Sequence, residues 1–175
     1  MGTLKKWLKK IMFNEIVLAI IIALLLKNFV VDSRYIPSSS MRPTLEINDR
    51  LLVNKISHRF VELQRGDIVI FRPPASVVNR SDHVKRLIAL PGDIVEISNG
   101  VLYINGEPVE EDFIYGPPNY EFPPTEVPEN SLFVLGDNRN FSQDSHLWAD
   151  WLTKDDIRGK VFFRYWPFDR FGRVE

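Results

Sequence analysis

Two short segments of this 175-residue chain carry side chains able to make and break a covalent bond. The first is Pro37-Ser38-Ser39-Ser40-Met41-Arg42-Pro43-Thr44, where a serine becomes a nucleophile only if a base takes its proton. The second is Val84-Lys85-Arg86, leading through Leu87, Ile88, Ala89 and Leu90 into Pro91-Gly92-Asp93. A strand sends neighbouring side chains to opposite faces, so one of these cations must point toward whatever the strand covers. With Arg86 on the solvent side, Lys85 goes inward. Burial disfavours the ammonium form and pulls a lysine well below its usual pKa of about 10.4, which makes the amine a base near neutral pH. Arginine does not deprotonate in proteins, so Arg86 is no substitute. A neutral Lys85 beside Ser40 would activate the hydroxyl for attack on a peptide carbonyl. Each segment also has an ordinary reading. Serines between prolines form turns through local hydroxyl bonds, and a lysine on a strand edge snorkels to water. Taken singly, those ordinary readings are favoured.

A third segment, Leu135-Gly136-Asp137-Asn138-Arg139-Asn140-Phe141-Ser142-Gln143-Asp144-Ser145-His146, follows an apolar strand and is dense in residues that bond locally or accept positive φ. Its default role is a tight loop that holds other groups in place. Histidine is the usual general base, so His58, His83 and His146 are alternatives to Lys85 in a Ser-His-Asp arrangement. The three histidines lack metal-ligand spacing, and neither a metal nor another cofactor is expected. With no cysteine, the chain has no disulfide, no thiolate zinc site and no thiol nucleophile. A formal net charge of -1 argues against nucleic acid as a partner.

The elements that must position these groups read as short strands broken by turn residues, so a mostly β fold is expected. Candidate strands are Arg50 to Lys55, Asp67 to Phe71, Val84 to Leu90, Asp93 to Ile97, Val101 to Ile104, Ser131 to Leu135 and Lys160 to Tyr165. Asn99-Gly100 and Asn105-Gly106 predict a small meander, since both central residues of a type I′ turn need positive φ. Residues 115–130 hold five prolines and no strand-like run, and read as a surface loop. Thr153 to Asp156 is expected to cap one helical turn. Trp166, Phe168 and Phe171 have much surface to bury, and core positions are expected ahead of a membrane interface.

Ahead of the strands, Lys5, Lys6, Lys9 and Lys10 precede the apolar run Ile16 to Leu26. From Ile11 to Val31 the segment reaches the roughly 20 residues of a membrane span if Lys27 snorkels to the interface. A cleaved secretory signal shares the basic start, but no small-x-small pattern follows, and an amphipathic surface helix would not be apolar all round. The expected division is a basic cytoplasmic N-terminus at 1–10, a single transmembrane helix at 11–31 and an extracytoplasmic domain at 32–175, oriented by the positive-inside rule. The lipid bilayer is then a partner.

Together and in this order, the segments resemble bacterial type I signal peptidases, from the expected anchor nearly to the C-terminus. The resemblance implies a membrane-bound serine endopeptidase that removes signal peptides from translocated preproteins, cutting after small residues of the Ala-x-Ala type. Its Pro-Ser-x-Ser-Met-x-Pro-Thr segment implies Ser40 as nucleophile, with Ser38 helping the Ser40 amide form an oxyanion hole. Its Lys-Arg-x-x-x-x-Pro-Gly-Asp segment implies Lys85 as general base. The Gly-Asp-Asn-Arg segment implies structural support from Asp137, Arg139 and Asp144, and a base-orienting bond from Ser142. Gly66 to Phe71 matches a further structural segment, and Ile36 and Val84 are expected to line the pockets for small residues. The implied fold is a β-rich catalytic domain with a small β insertion at about 94–130. His146 and Ala149 stand where most bacterial members have Arg and Gly, and cyanobacterial and thylakoid members often carry His at the first of these places. An Asp144 salt bridge to arginine is therefore in doubt. The plasma membrane, or a thylakoid membrane, is the implied location, with the secretion translocase as a further partner.

Two rivals stand beside this reading. A self-cleaving Ser/Lys protease of the repressor type shares the dyad but neither the anchor nor the 136–146 loop. A membrane-tethered β-domain that binds without catalysis would be favoured by a missing serine or lysine, and both are present.

Overall fold

A computed structural model describes residues 15–24, 27, 30–56 and 62–174. Lys5, Lys6, Lys9, Lys10 and His58 lie outside the described residues, as do parts of the expected anchor. Residues 15–24 form a helix with exposed side chains, and no helix among the described residues is long and apolar enough to cross a membrane. Val31, counted with the anchor above, instead opens the first strand.

Among the described residues, twelve strands follow in chain order: β1 (Val31–Tyr35), β2 (Arg50–Asn54), β3 (Ile68–Phe71), β4 (His83–Ala89), β5 (Ile94–Ser98), β6 (Val101–Ile104), β7 (Glu107–Pro108), β8 (Phe122–Glu126), β9 (Ser131–Leu135), β10 (Leu152–Thr153), β11 (Ile157–Trp166) and β12 (Gly172–Arg173). The larger sheet runs β1-β2-β11-β3-β4-β9-β10, with β12 paired to β11. Its centre is the unbroken apolar run of β3, buried along its whole length. Ile68 and Ile70 pack with Leu51, Val53 and Val161, while Val69 and Phe71 pack with Leu87, Leu132, Val134 and Ile157. Two apolar layers therefore clamp β3, which carries β4 antiparallel beside it with Lys85 opposite Val69.

The smaller sheet, β7-β6-β5-β8, is the insertion. Both expected hairpin turns are present, with positive φ at Asn99 (51°), Gly100 (78°), Asn105 (55°) and Gly106 (81°). Residues 115–130 are not all loop, because β8 pairs with β5 there. Pro123 and Pro124 are tolerated since β8 is an edge strand, whose outer backbone groups have no ladder to complete. Val95, Ile97, Leu102 and Ile104 pack on Ile88, Ala89, Phe133 and Leu135, so the insertion shares a core with the larger sheet.

The expected turn before β11 is a 3-10 turn at Lys154–Asp156, where Thr153 Oγ1 donates to the Asp156 carboxylate at 2.6 Å. The tail aromatics are not core residues: Trp166, Phe168 and Phe171 are 42%, 75% and 60% exposed. After β11 the chain enters a 3-10 turn at Phe168–Arg170 with no buried residue, and the rings cover one another, Trp166 on Phe168 and Phe163 on Phe171.

Gly159 lies in β11 where that strand is flanked by β2 and β3, and a Cβ there would come within 2.6 Å of Asn54 O and Val53 Cγ1. Gly159→Ala is expected to destabilise by about 1–3 kcal/mol in urea titration, as overpacking does. Gly116→Ala, with nothing within 4 Å, should stay near wild type.

Candidate active site

β4 presents Lys85 and Arg86 on opposite faces, and both are buried, with 4% and 3% exposure. Arg86 therefore does not take the solvent side. Its guanidinium is retained inside because it finds a full set of acceptors: Nε and Nη2 bond Asp137 Oδ1 and Oδ2 at 2.9 and 2.8 Å, and Nη1 donates to Gly66 O at 3.0 Å. The Phe113 ring lies 3.9 Å from the guanidinium carbon. Asp137 also accepts from Thr44 Oγ1 at 2.5 Å. A fork-to-fork ion pair with its remaining lone pairs satisfied is the form in which charges survive burial. It also ties three segments together, since Thr44 follows the serines and Asp137 belongs to the 136–146 loop.

On the other face, Lys85 Nζ donates to Ser40 Oγ at 2.7 Å. Burial pushes the Lys85 pKa down from 10.5 to about 8, against the opposing pull of the Asp144 and Asp137 carboxylates. At that value about a tenth of the amine is neutral at pH 7, against well under a thousandth for an ordinary lysine. Among the described residues, Ser40 Oγ is in contact with Lys85 and, at 3.4 Å, with Ser38 Oγ, and bonds neither His83 nor His146.

The 136–146 loop fixes the serine backbone. Asn138 N donates to Ser40 O and Asn138 Nδ2 to Ser39 O, each at 3.1 Å. Gly136 permits this approach, because a methyl there would collide with the Ser40 carbonyl and Ser142 Oγ. Ser142 is buried beside that junction, but its Oγ has no hydrogen-bond partner among the described residues, so the bond to Lys85 implied by resemblance is not formed. Asp144 is fully buried; its Oδ2 accepts from Gly136 N at 2.9 Å and its Oδ1 lies 2.5 Å from His146 Nδ1. Histidine thus takes the place of the arginine partner discussed above. The His146 ring stacks on Tyr120 with centroids 3.9 Å apart.

Arg139, also fully buried, pairs with Glu111 through bonds of 2.5 and 2.6 Å and donates to Gly136 O at 3.1 Å. Glu111 escapes sequence reasoning because it stands in an acidic run, Glu110-Glu111-Asp112, that reads as solvated. Tyr120 and Phe113 are missed for a different reason: both come from the insertion, far in sequence from what they touch. Ile36 and Val84 do meet, lining one cleft of about 440 Å³ together with Ser38, Ser40, Met41, Ile70 and Lys85.

This geometry is found in a chain that belongs to the signal peptidase family, peptidase S26, whose profile it matches over residues 5–166. It is a serine peptidase of the signal peptidase I kind. It is 46% identical to the probable signal peptidase I-2 of Synechocystis over 162 residues, covering 91% of this chain and 74% of that protein. It is 44% identical to the signal peptidase I of Leptolyngbya laminosa, over 90% of this chain and 79% of that protein. With thylakoidal processing peptidase 1 of Arabidopsis thaliana it shares 40% identity, over 85% of this chain and 46% of the longer plant protein.

The buried lysine has a consequence for stability. Its folded pKa of about 8 lies below the ordinary 10.5, so between these values the native state binds fewer protons than the unfolded state, and stability rises with pH. Below about pH 8 the full penalty applies, about 3 kcal/mol. Lys85→Met should be more stable than wild type at neutral pH by an amount of that order, and denaturant titrations should show the gap narrowing toward pH 10. A gap independent of pH would contradict the depressed lysine.

Proposed function

We propose that this peptidase removes signal peptides from translocated preproteins with Ser40 as nucleophile and Lys85 as general base, cutting after small residues of the Ala-x-Ala type. The observation that carries the reading is the 2.7 Å contact between Ser40 Oγ and a buried lysine brought to about 8. In its neutral form Lys85 accepts the Ser40 proton as Oγ attacks the scissile carbonyl, and the resulting ammonium returns a proton to the departing amine. Water, deprotonated by the same nitrogen, then hydrolyses the ester. The Ser40 N–H and the Ser38 hydroxyl hold the oxyanion. Ser142 orients the base: a buried hydroxyl left without a partner beside Ser40 is an acceptor for the ammonium that forms during attack.

Ile36 and Val84, with Met41 and Ile70, give the cleft apolar walls that suit short side chains. The apolar segment ahead of β1 serves as the anchor, leaving the N-terminus in the cytoplasm and the β-domain from Val31 onward outside, at the plasma membrane or a thylakoid membrane near the translocase. The exposed Trp166, Phe168 and Phe171 are chemically suited to the lipid interface. A binding scaffold would have no use for a lysine kept partly neutral against a serine.

In detergent, with a preprotein whose signal ends in Ala-x-Ala, Ser40→Ala and Lys85→Arg should each fold and yield no product. Cleavage retained by either variant would sink the dyad. Ser142→Ala should lower kcat by about tenfold or more, the worth of one bond to a charged group, at unchanged Tm. An unchanged kcat would remove that role.

A further inference from the structure

A second hollow lies beside the catalytic cleft. It holds about 510 Å³ and takes apolar walls from Val77, Val78, Leu147, Trp148 and Ala149. Asn79 and Gln143 line both spaces, so the hollow and the cleft are continuous across a rim formed by these two residues. Val78 and Leu147 are 98% and 63% exposed, which leaves apolar surface bare at the hollow. The dyad mechanism makes no use of it.

The register of β4 tells which side of the strand the hollow serves. Val84 stands opposite Ile70 and packs against the cluster that holds Ile36 and Met41. His83 and Lys85 stand opposite Phe71 and Val69, and strand alternation turns them to the other face. Trp148 belongs to that other face: its ring centroid is 5.8 Å from that of Phe71 and 6.5 Å from that of His83. The cleft therefore has Ile36 and Val84 on one side of β4 and opens past His83 into the hollow on the other. β4 also keeps a free edge here among the described residues. Residues 83–85 pair with β3, whereas pairing with β9 begins only at Arg86.

We propose that the hollow receives the substrate side chain between the two small ones, the middle position of Ala-x-Ala, and selects an apolar side chain of about leucine size there. This deepens the function proposed above and rests on it. An extended substrate obeys the same alternation as β4. With the residues one and three positions before the cut turned toward Ile36 and Val84, the residue two positions before the cut is turned to the opposite face. The level along the strand agrees. Val84 lies on the His83 side of Lys85, and β9 takes the edge from Arg86 onward, so the leader end of the substrate runs toward His83. A strand rises about 3.3 Å per residue, which puts His83, with Trp148 beside it, roughly 7 Å back from Lys85, the reach of two substrate residues. The outer positions are thus selected for smallness and the middle one for apolarity.

The test is kcat/KM of the full chain in detergent on signal-peptide substrates ending in Ala-x-Ala, with leucine, asparagine or lysine at x. Leucine and asparagine are close in size and differ in polarity, so their ratio reads the walls of the hollow. Wild type should favour leucine over asparagine by about tenfold. Ala149→Phe, which fills the hollow from an exposed position, should bring that ratio near one. Val78→Asp places a carboxylate at the most exposed wall and should raise lysine relative to leucine by about tenfold, a switch that a merely structural role would not produce. Wild-type enzyme that cuts all three substrates alike overturns the subsite, and this measurement needs no variant to fold. Variants that keep the wild-type ratios, whatever their absolute rates, overturn it as well. If no Ala-x-Ala substrate is cut, the cleavage specificity proposed above fails and the subsite falls with it; cleavage that ignores x removes the subsite alone.

Discussion

Lys85 Nζ stands 2.7 Å from Ser40 Oγ on a strand with almost no solvent access, and an amine survives there only as a balance between opposed forces. Desolvation drives it toward the neutral form, while Asp144 and Asp137 pull it back toward the ammonium. If either carboxylate were unpaired and free to reach Lys85, a direct ion pair would lock the proton on. Each is instead committed elsewhere, Asp137 to Arg86 and Thr44, Asp144 to Gly136 and His146. Their residual field tempers the burial term without replacing it. Lysine alone has little bonding geometry, so the precision of this site comes from what surrounds it.

That surrounding is assembled from segments far apart in the chain. The clamped strand β3 fixes β4, and β4 delivers Lys85 to one face and Arg86 to the other. Arg86, through Asp137 and Thr44, holds the serine segment and the 136–146 loop to the same strand. The insertion is part of this frame rather than an appendage. It supplies Glu111 to Arg139, Tyr120 to His146 and Phe113 to Arg86, and Tyr115 N donates to Asp137 O at 2.9 Å. The segment between β7 and β8 thus packs directly on the residues that hold Ser40 in place.

What was legible beforehand was local. The Asn-Gly hairpins, the apolar run of β3 and the alternation that turns Lys85 inward are short-range signals, and all appear in the structure. Prolines at 123 and 124 give residues 122–126 the signature of a loop, since proline weakens strand propensity, yet pairing to β5 at a sheet edge overrides it. Period-two alternation points Arg86 to water only if the strand has one wet face, and β4 has none at that point. Glu111 carries no local mark of burial, since its partner Arg139 is 28 residues away. The tail aromatics illustrate the converse: their types suggest a core, but only packing decides whether a covering layer exists. The resemblance named Ser40, Lys85, Ser38, Ser142, Ile36 and Val84 as one site, and these residues come together around one cleft, except that Ser142 Oγ stays unbonded beside it.

The central claim is that Lys85 is partly neutral under working conditions, and its side chain can be observed directly. Lysine labelled with 13C at Cε, assigned by comparison with Lys85→Arg, gives a resonance whose shift reports the charge on Nζ as pH is raised. The account predicts a midpoint near 8 in the folded enzyme. A midpoint at the ordinary lysine value of 10.5 would contradict it, because a fully protonated Lys85 could not take the Ser40 proton.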